Sequence, residues 1–142
     1  MLQFIDVHDL SEWALLIVEN GDAGVHNVTG PESPVVMWAL QKTCASVSGS
    51  GARWVWINDD ILIGNKVEPF IDLTMWIPDH QTHAGFYAVK CTRATTNGLA
   101  YQPLSGTIEA TLAWDRTRSD NNAWQTTLPR EKEQELPDKW KR

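Results

Sequence analysis

The chain has 142 residues, of which 42% are hydrophobic and 21% charged, and its net charge at neutral pH is −6. This length and balance are typical of a folded globular domain and exclude a disordered chain, while the acidic balance without clustered Lys and Arg excludes nucleic-acid binding. We expect a cytoplasmic protein without contact to membranes, because no apolar run is long enough to span a bilayer and acidic residues interrupt the apolar N-terminal segment.

The first elements are predicted to be a strand and a helix. The apolar run Phe4–Val7 favours a short strand. Leu10, Trp13 and Ile17 then recur at helical spacing, and Asp9 precedes them as a candidate N-cap residue. This order of patterns predicts a strand that leads directly into a helix.

A second strand and helix follow the first pair. Gly24–Val28 predicts a short strand, and Pro34 to Ser48 predicts a helix with Pro34 at its first position. Cys44 lies on the apolar face of that helix, so we expect it to be an inert thiol in the core. Cys44 and Cys91 are both expected to be free thiols.

The middle of the chain begins with a segment rich in β-forming residues. Arg53–Ile57 predicts a strand in which Trp54 and Trp56 share one half-buried face. Asn58 is a candidate N-cap for a short helix that ends near Ile63. Residues 66–84 show no periodic pattern and are expected to be irregular.

The second half of the chain contains one more predicted strand and three predicted helices. The strand is Phe86–Val89, and the helices are Thr92–Asn97, Ser105–Trp114 and Pro129–Leu136. Strands that alternate with helices indicate an α/β fold, here with few short strands and flanking helices. We predict a domain over residues 1–116 and a polar C-terminal tail over residues 117–142.

The order of several short motifs resembles the C-terminal, substrate-side part of NAD-dependent epimerases/dehydratases, which are extended short-chain dehydrogenases/reductases. The motifs are Phe4-Ile-Asp-Val-His-Asp-Leu10, Val25-His-Asn-Val-Thr-Gly30, Lys90-Cys-Thr-Arg-Ala94 and Gly98-Leu-Ala-Tyr-Gln-Pro103. Together they cover roughly residues 3–116. The resemblance implies the C-terminal part of a Rossmann-type fold, without its nucleotide-binding half.

The sequence lacks the two motifs that carry the chemistry of this family. The dinucleotide fingerprint G-x-G-x-x-G is absent, and Tyr87 and Lys90 are three residues apart rather than the four of Tyr-x-x-x-Lys. The resemblance implies NAD(P) for a complete family member, but we expect this chain alone to bind no cofactor and to have no catalytic residues. Lys90 also stands where several family members have an acidic residue, which argues against a nucleotide-sugar substrate.

The candidate substrate-pocket residues lie in or after the irregular segment, where the resemblance places the closure over the ligand. They are Trp76, His83, Phe86, Tyr87 and Lys90. For Trp76, the alternative is that the indole only fills the underside of the loop, and the two interpretations are equally supported.

A metal site is not expected in the irregular segment. His80 and His83 form an H-x-x-H pattern near Asp79, but a structural zinc ion requires four ligands. We therefore interpret the two histidines as part of a solvated loop.

Three functions remain open for this sequence, of which an independent small enzyme that uses Asp79, His80 and His83 is the least favoured. The first is the substrate-binding portion of an NAD-dependent epimerase, dehydratase or reductase, inactive alone. The second is a non-catalytic module that binds a small molecule or assembles into an oligomer. We expect a homodimer, because the predicted strand Gly24–Val28 would leave an open edge and the helices would expose Trp13, Trp38 or Met37.

Overall fold

The computed structural model describes residues 1–33, 35–78, 85–118 and 127–140. Six α-helices lie within these ranges, and we number them in chain order. They are α1 (Val7–Glu19), α2 (Met37–Ser48), α3 (Asp59–Gly64), α4 (Thr92–Thr96), α5 (Leu104–Asp115) and α6 (Arg130–Trp140).

The predicted α/β fold class is wrong, because the described part of the chain contains no β-sheet. The backbone forms only two isolated bridges there, Leu2 with Val35 and Pro69 with Leu73. The predicted strands Phe4–Val7, Gly24–Val28, Arg53–Ile57 and Phe86–Val89 are therefore not strands. A strand needs a ladder of backbone hydrogen bonds to a neighbouring segment, and in the described residues these four segments make at most single bonds, such as that from the Phe4 N–H to the Gly30 carbonyl.

The predicted helices are confirmed, although two of them begin elsewhere than expected. α1 begins three residues early, and its N-cap is Asp6 rather than Asp9. The Asp6 carboxylate accepts a hydrogen bond from the His8 N–H at 2.8 Å, the bond that defines a capping side chain. α2 begins at Met37 after Val36, which provides no side-chain cap. Asn58 caps α3 as predicted, since its side chain accepts from the Asp60 N–H.

The chain divides into two compact units. The first comprises residues 1–51 and 85–117, and the second comprises residues 52–84 and 118–142. In the first unit, α2 packs against α5. A separate buried cluster is formed by Trp13, Ala94 and Leu99. The Trp13 indole N–H donates to the Asn97 carbonyl at 3.1 Å, which ties α1 to the end of α4.

The second unit has its own buried cluster, in which α3 contacts α6. Leu62, Val67 and Leu136 are buried there, and Trp76 packs against them. The Trp76 indole N–H donates to a carboxylate oxygen of Asp59 at 2.9 Å.

One expectation of burial agrees with the structure and one is wrong. Trp54 and Trp56 are 41% and 55% exposed, which is about half-buried as expected, but the segment that carries them is not a strand. Cys44 is exposed, so it is not a core thiol, because the segment of α2 that carries it is not fully covered. Among the described residues, no helix is long and apolar enough to cross a membrane.

Candidate functional site: the tyrosine cleft

A cleft of about 340 Å3 opens on the surface of the first unit, between three stretches of chain that are distant in sequence. We call it the tyrosine cleft. Its wall includes Gln3 from the N-terminal segment, Thr29 to Glu32, Tyr87 to Thr92, Thr95 of α4, and Tyr101.

The N-terminal segment holds the Tyr87–Thr92 wall in place. The Gln3 side chain pairs with the backbone of Val89 in both directions, because its amide donates to the Val89 carbonyl and its carbonyl accepts from the Val89 N–H, each at 2.8 Å. The Phe4 N–H donates to the Gly30 carbonyl at 2.7 Å, which joins the same N-terminal segment to the opposite wall. The cleft therefore depends on hydrogen bonds between distant residues.

The side chains of Tyr101 and Cys91 both form a hydrogen bond with the backbone of Thr29. The Tyr101 hydroxyl donates to the Thr29 carbonyl at 2.8 Å, and the Thr29 N–H donates to the Cys91 sulfur at 3.3 Å. Burial raises the pKa of the Tyr101 phenol, and the neighbouring Cys91 thiol and Glu32 and Asp9 carboxylates raise it further. Tyr101 therefore remains a neutral hydrogen-bond donor at physiological pH.

Gly30 makes room for the Tyr101 ring. A Cβ atom at position 30 would lie 2.6 Å from Tyr101 Cε1 and 3.1 Å from the Phe4 carbonyl oxygen. Contacts under 3 Å of this kind do not occur between real Cβ atoms and their neighbours, so any side chain here would displace the ring. Glycine is therefore required sterically at this point of the wall.

Two of the candidate pocket residues, Tyr87 and Lys90, line the tyrosine cleft. Burial raises the pKa of the Tyr87 phenol, which therefore stays protonated. Lys90 is exposed, and in the described part of the chain its ammonium group has no ion pair. Its carbonyl accepts from the Asn27 side chain at 3.5 Å. Phe86 packs edge-on against Tyr87 with ring centroids 5.0 Å apart, and it is 53% exposed.

Of the remaining candidates, Trp76 does not line the tyrosine cleft. Trp76 belongs to the cluster of the second unit described above. His83, like His80 and Asp79, lies outside the described residues. Within the described ranges, no group of three or more His, Cys, Asp or Glu side chains could hold a metal ion.

Sequence reasoning did not include Gln3, Cys91 and Tyr101 in the site. Tyr101 lies in the motif Gly98-Leu-Ala-Tyr-Gln-Pro103, so the resemblance offered a signal for it. Gln3 had no local signal, because its role arises only from a hydrogen-bonded partner 86 residues away.

The cleft has walls that are lined by polar groups. It offers two protonated phenols, one lysine ammonium group and threonine hydroxyls on its walls, with the Glu32 carboxylate at its rim. Comparisons with family models, with curated proteins and with solved structures give no match to this chain. The resemblance to epimerases/dehydratases therefore stays a prediction from the sequence.

Proposed function

We propose that the chain is the substrate-binding portion of an NAD-dependent epimerase, dehydratase or reductase, and that it binds its substrate in the tyrosine cleft. The observation that supports this most is that Tyr87 and Lys90, both predicted to contact substrate, line one cleft with Tyr101. The cleft volume lies at the lower end of the range typical of small-molecule sites.

The groups in the cleft favour an oxygen-rich substrate. The Lys90 ammonium group donates hydrogen bonds, and the Tyr101 hydroxyl, whose own proton is bonded to the Thr29 carbonyl, can accept one, so these groups suit the oxygens and hydroxyl groups of a ligand. In this proposal the residues bind and orient the substrate, while the hydride carrier and its binding fingerprint belong to a Rossmann portion.

The binding proposal can be tested by NMR titration of the full chain with D-glucose, 3-oxobutanoate and a UDP-sugar, each used separately. We expect at least one of them to shift the backbone amides of Thr29 and of Tyr87–Thr95 in a saturable manner. Lys90→Ala should weaken that binding about tenfold, since charge-assisted hydrogen bonds contribute roughly 1.5 kcal/mol or more.

Lys42→Ala is the matched control, because Lys42 is an exposed lysine on α2 whose ammonium group lies 4.9 Å from the Trp38 ring centroid. It should leave the titration unchanged. Shifts confined to residues outside the cleft, or none with any of the three probes, would contradict a substrate site here.

The family assignment leads to a separate expectation about the cofactor. Because the sequence lacks the glycine fingerprint, we expect NAD and NADP to leave the tryptophan fluorescence of the purified chain unquenched apart from linear inner-filter loss. Saturable quenching at micromolar dinucleotide would show that this chain binds the cofactor itself. That result would contradict the proposed assignment of cofactor binding to a Rossmann portion, whatever the outcome of the substrate titration.

A second candidate function is assembly into a homodimer, which the backbone of Ala23–Thr29 favours. The backbone groups of Ala23, Val25 and Thr29 are hydrogen-bonded within the first unit. Arg93 donates to the carbonyls of Ala23 and Val25 at 3.1 Å each. The Thr29 carbonyl accepts from the Tyr101 hydroxyl, and the Thr29 N–H donates to the Cys91 sulfur. The backbone groups of Gly24, His26 and Val28 make no hydrogen bond in the described part of the chain. We propose that a second copy pairs with this open backbone.

A further inference from the structure

A second cleft, of about 420 Å3, runs along α1 on the first unit. We call it the acidic groove. Its lining includes the acidic residues Asp9, Glu12 and Glu19 and apolar residues such as Leu15 and Leu16. No Lys, Arg or His is among the described residues that line it.

The spacing of the groove residues places them along one side of α1. Glu12, Leu15, Leu16 and Glu19 stand at positions i, i+3, i+4 and i+7, which fall on one face of a helix. The two glutamates are therefore separated by two helical turns, about 10 Å along the axis, with the leucines between them. The two glutamate carboxylates therefore flank an apolar surface, with one on each side of it.

Apolar side chains on this side of α1 are exposed, although Leu16 is partly buried. Leu15 is 65% exposed, and Val18 on the next turn is 77% exposed. Leu16 packs closely against Gly98, where an added Cβ would come within 2.7 Å of the leucine Cδ2. An exposed apolar surface with a charged rim is typical of a protein interaction site.

The two glutamates are available to a partner. Asp9 accepts a hydrogen bond from the Gln102 N–H at 3.1 Å. Within the described ranges, Glu12 and Glu19 have neither an ion pair nor a side-chain hydrogen bond. Two unpaired carboxylates beside an apolar surface are complementary to cations that flank apolar side chains.

We propose that the acidic groove binds a basic amphipathic helix of a partner protein. Such a helix would carry two lysines or arginines one heptad apart and apolar residues between them, which matches the spacing of Glu12, Leu15, Leu16 and Glu19. The apolar contact buries the exposed leucine, and the charge pairs fix the register of the partner.

The probe for this proposal is a synthetic, fluorescently labelled helical peptide with two lysines one heptad apart, two leucines between them, and alanine and glutamine elsewhere. We expect saturable binding to the full chain, measured by fluorescence anisotropy. The double variant E12Q/E19Q should weaken binding about fivefold, because two exposed ion pairs contribute roughly 0.5 kcal/mol each. Leu15→Ser should weaken it independently of salt concentration.

Glu109→Gln is the matched control, since Glu109 is an exposed glutamate on α5 and does not line the groove. A second control changes the peptide and keeps the native chain. The peptide in which glutamine replaces both lysines should bind the native chain about as weakly as the lysine peptide binds the E12Q/E19Q variant. Equal affinity of the lysine and glutamine peptides would overturn the proposal, as would the absence of saturable binding.

Discussion

At the scale of single residues, the tyrosine cleft depends on close packing between Gly30 and Tyr101. The ring occupies the space that a side chain at position 30 would need, and its hydroxyl bonds to the Thr29 carbonyl next to it. The same ring packs against the cluster of Trp13, Ala94 and Leu99. A change at Gly30 therefore affects both the cleft wall and the core of the first unit.

Gly30→Ala is expected to destabilise the protein by about 1–3 kcal/mol, the usual cost of forcing extra volume into a packed site. The measurement is the free energy of unfolding from urea denaturation followed by circular dichroism. Gly51→Ala is the control, because an added Cβ at Gly51 meets no atom within 4 Å. If both variants unfolded at the same urea concentration as the native chain, the packing described for Tyr101 would be wrong.

The raised pKa of Tyr101 predicts a loss of stability at high pH. Burial first, and then the Cys91 thiol, raise the folded-state pKa above the ordinary value of 10.0. The folded state thus favours the protonated phenol, and this contribution is complete below pH 10 or so and is lost as pH rises through the folded pKa. Tyr101→Phe should remove part of the fall in melting temperature above about pH 10. An identical decline in the variant would show that Tyr101 is not its source.

At the scale of the elements, the helices were predictable from the sequence and the strands were not. A helix bonds to itself over four residues, so the spacing of Leu10, Trp13 and Ile17 was sufficient to identify α1. A strand is completed only by a neighbour, and the β-forming composition of Arg53–Ile57 carries no information about whether that neighbour exists. The unpaired segments are therefore the part of the fold that sequence reasoning misjudged.

The candidate site was predictable to a similar extent. Tyr87 and Lys90 are three residues apart in the sequence, so their proximity in one wall of the cleft needs no tertiary information. The opposite wall comes from Gln3, Thr29 and Tyr101, which reach it through hydrogen bonds between distant stretches of chain. Such bonds follow from the tertiary fold and leave no local pattern.

The N-cap of α1 gives a prediction at this scale. Burial acts to raise the pKa of Asp6, but hydrogen bonds from the His8 N–H and ring and from Thr107 outweigh it, so the pKa lies below the ordinary 3.8. The ionised form is therefore favoured by folding. Its contribution is present above about pH 4 and is lost as pH falls through the folded pKa. We expect Asp6→Ala to cost about 1 kcal/mol at pH 7 and less at pH 2, measured by urea denaturation.

Asn58 provides the matched control for Asp6. It caps α3 in the same manner, through a 2.8 Å hydrogen bond from the Asp60 N–H to its side-chain oxygen, but its amide does not titrate. Asn58→Ala should therefore cost a similar amount at both pH values. A pH-dependent loss in Asn58→Ala equal to that in Asp6→Ala would mean that the acid sensitivity arises elsewhere.

At the scale of the whole molecule, the first unit holds both clefts and the open backbone of Ala23–Val28. The clefts and this backbone are complete within residues 1–51 and 85–117, so their description does not depend on the second unit. Trp38 on α2 is 52% exposed, as expected from the sequence, whereas Trp13 on α1 is buried in the cluster with Ala94 and Leu99. The apolar surface that could support self-association therefore comes from fewer residues than the sequence predicted.

The proposed homodimer would form through the open backbone of Ala23–Thr29. Unpaired N–H and C=O groups along an exposed segment readily bond to another chain, and a twofold arrangement satisfies both copies with one contact. Val25 is 85% exposed in the middle of this segment. We expect sedimentation equilibrium to show a dimer for the native chain. Val25→Lys would place like charges near the twofold axis, so the variant should form a weaker dimer. Val55→Lys, which adds the same charge to the second unit, should dimerise as the native chain does. A native chain that remains monomeric at every concentration would mean that water alone satisfies this backbone, and the assembly function would be excluded.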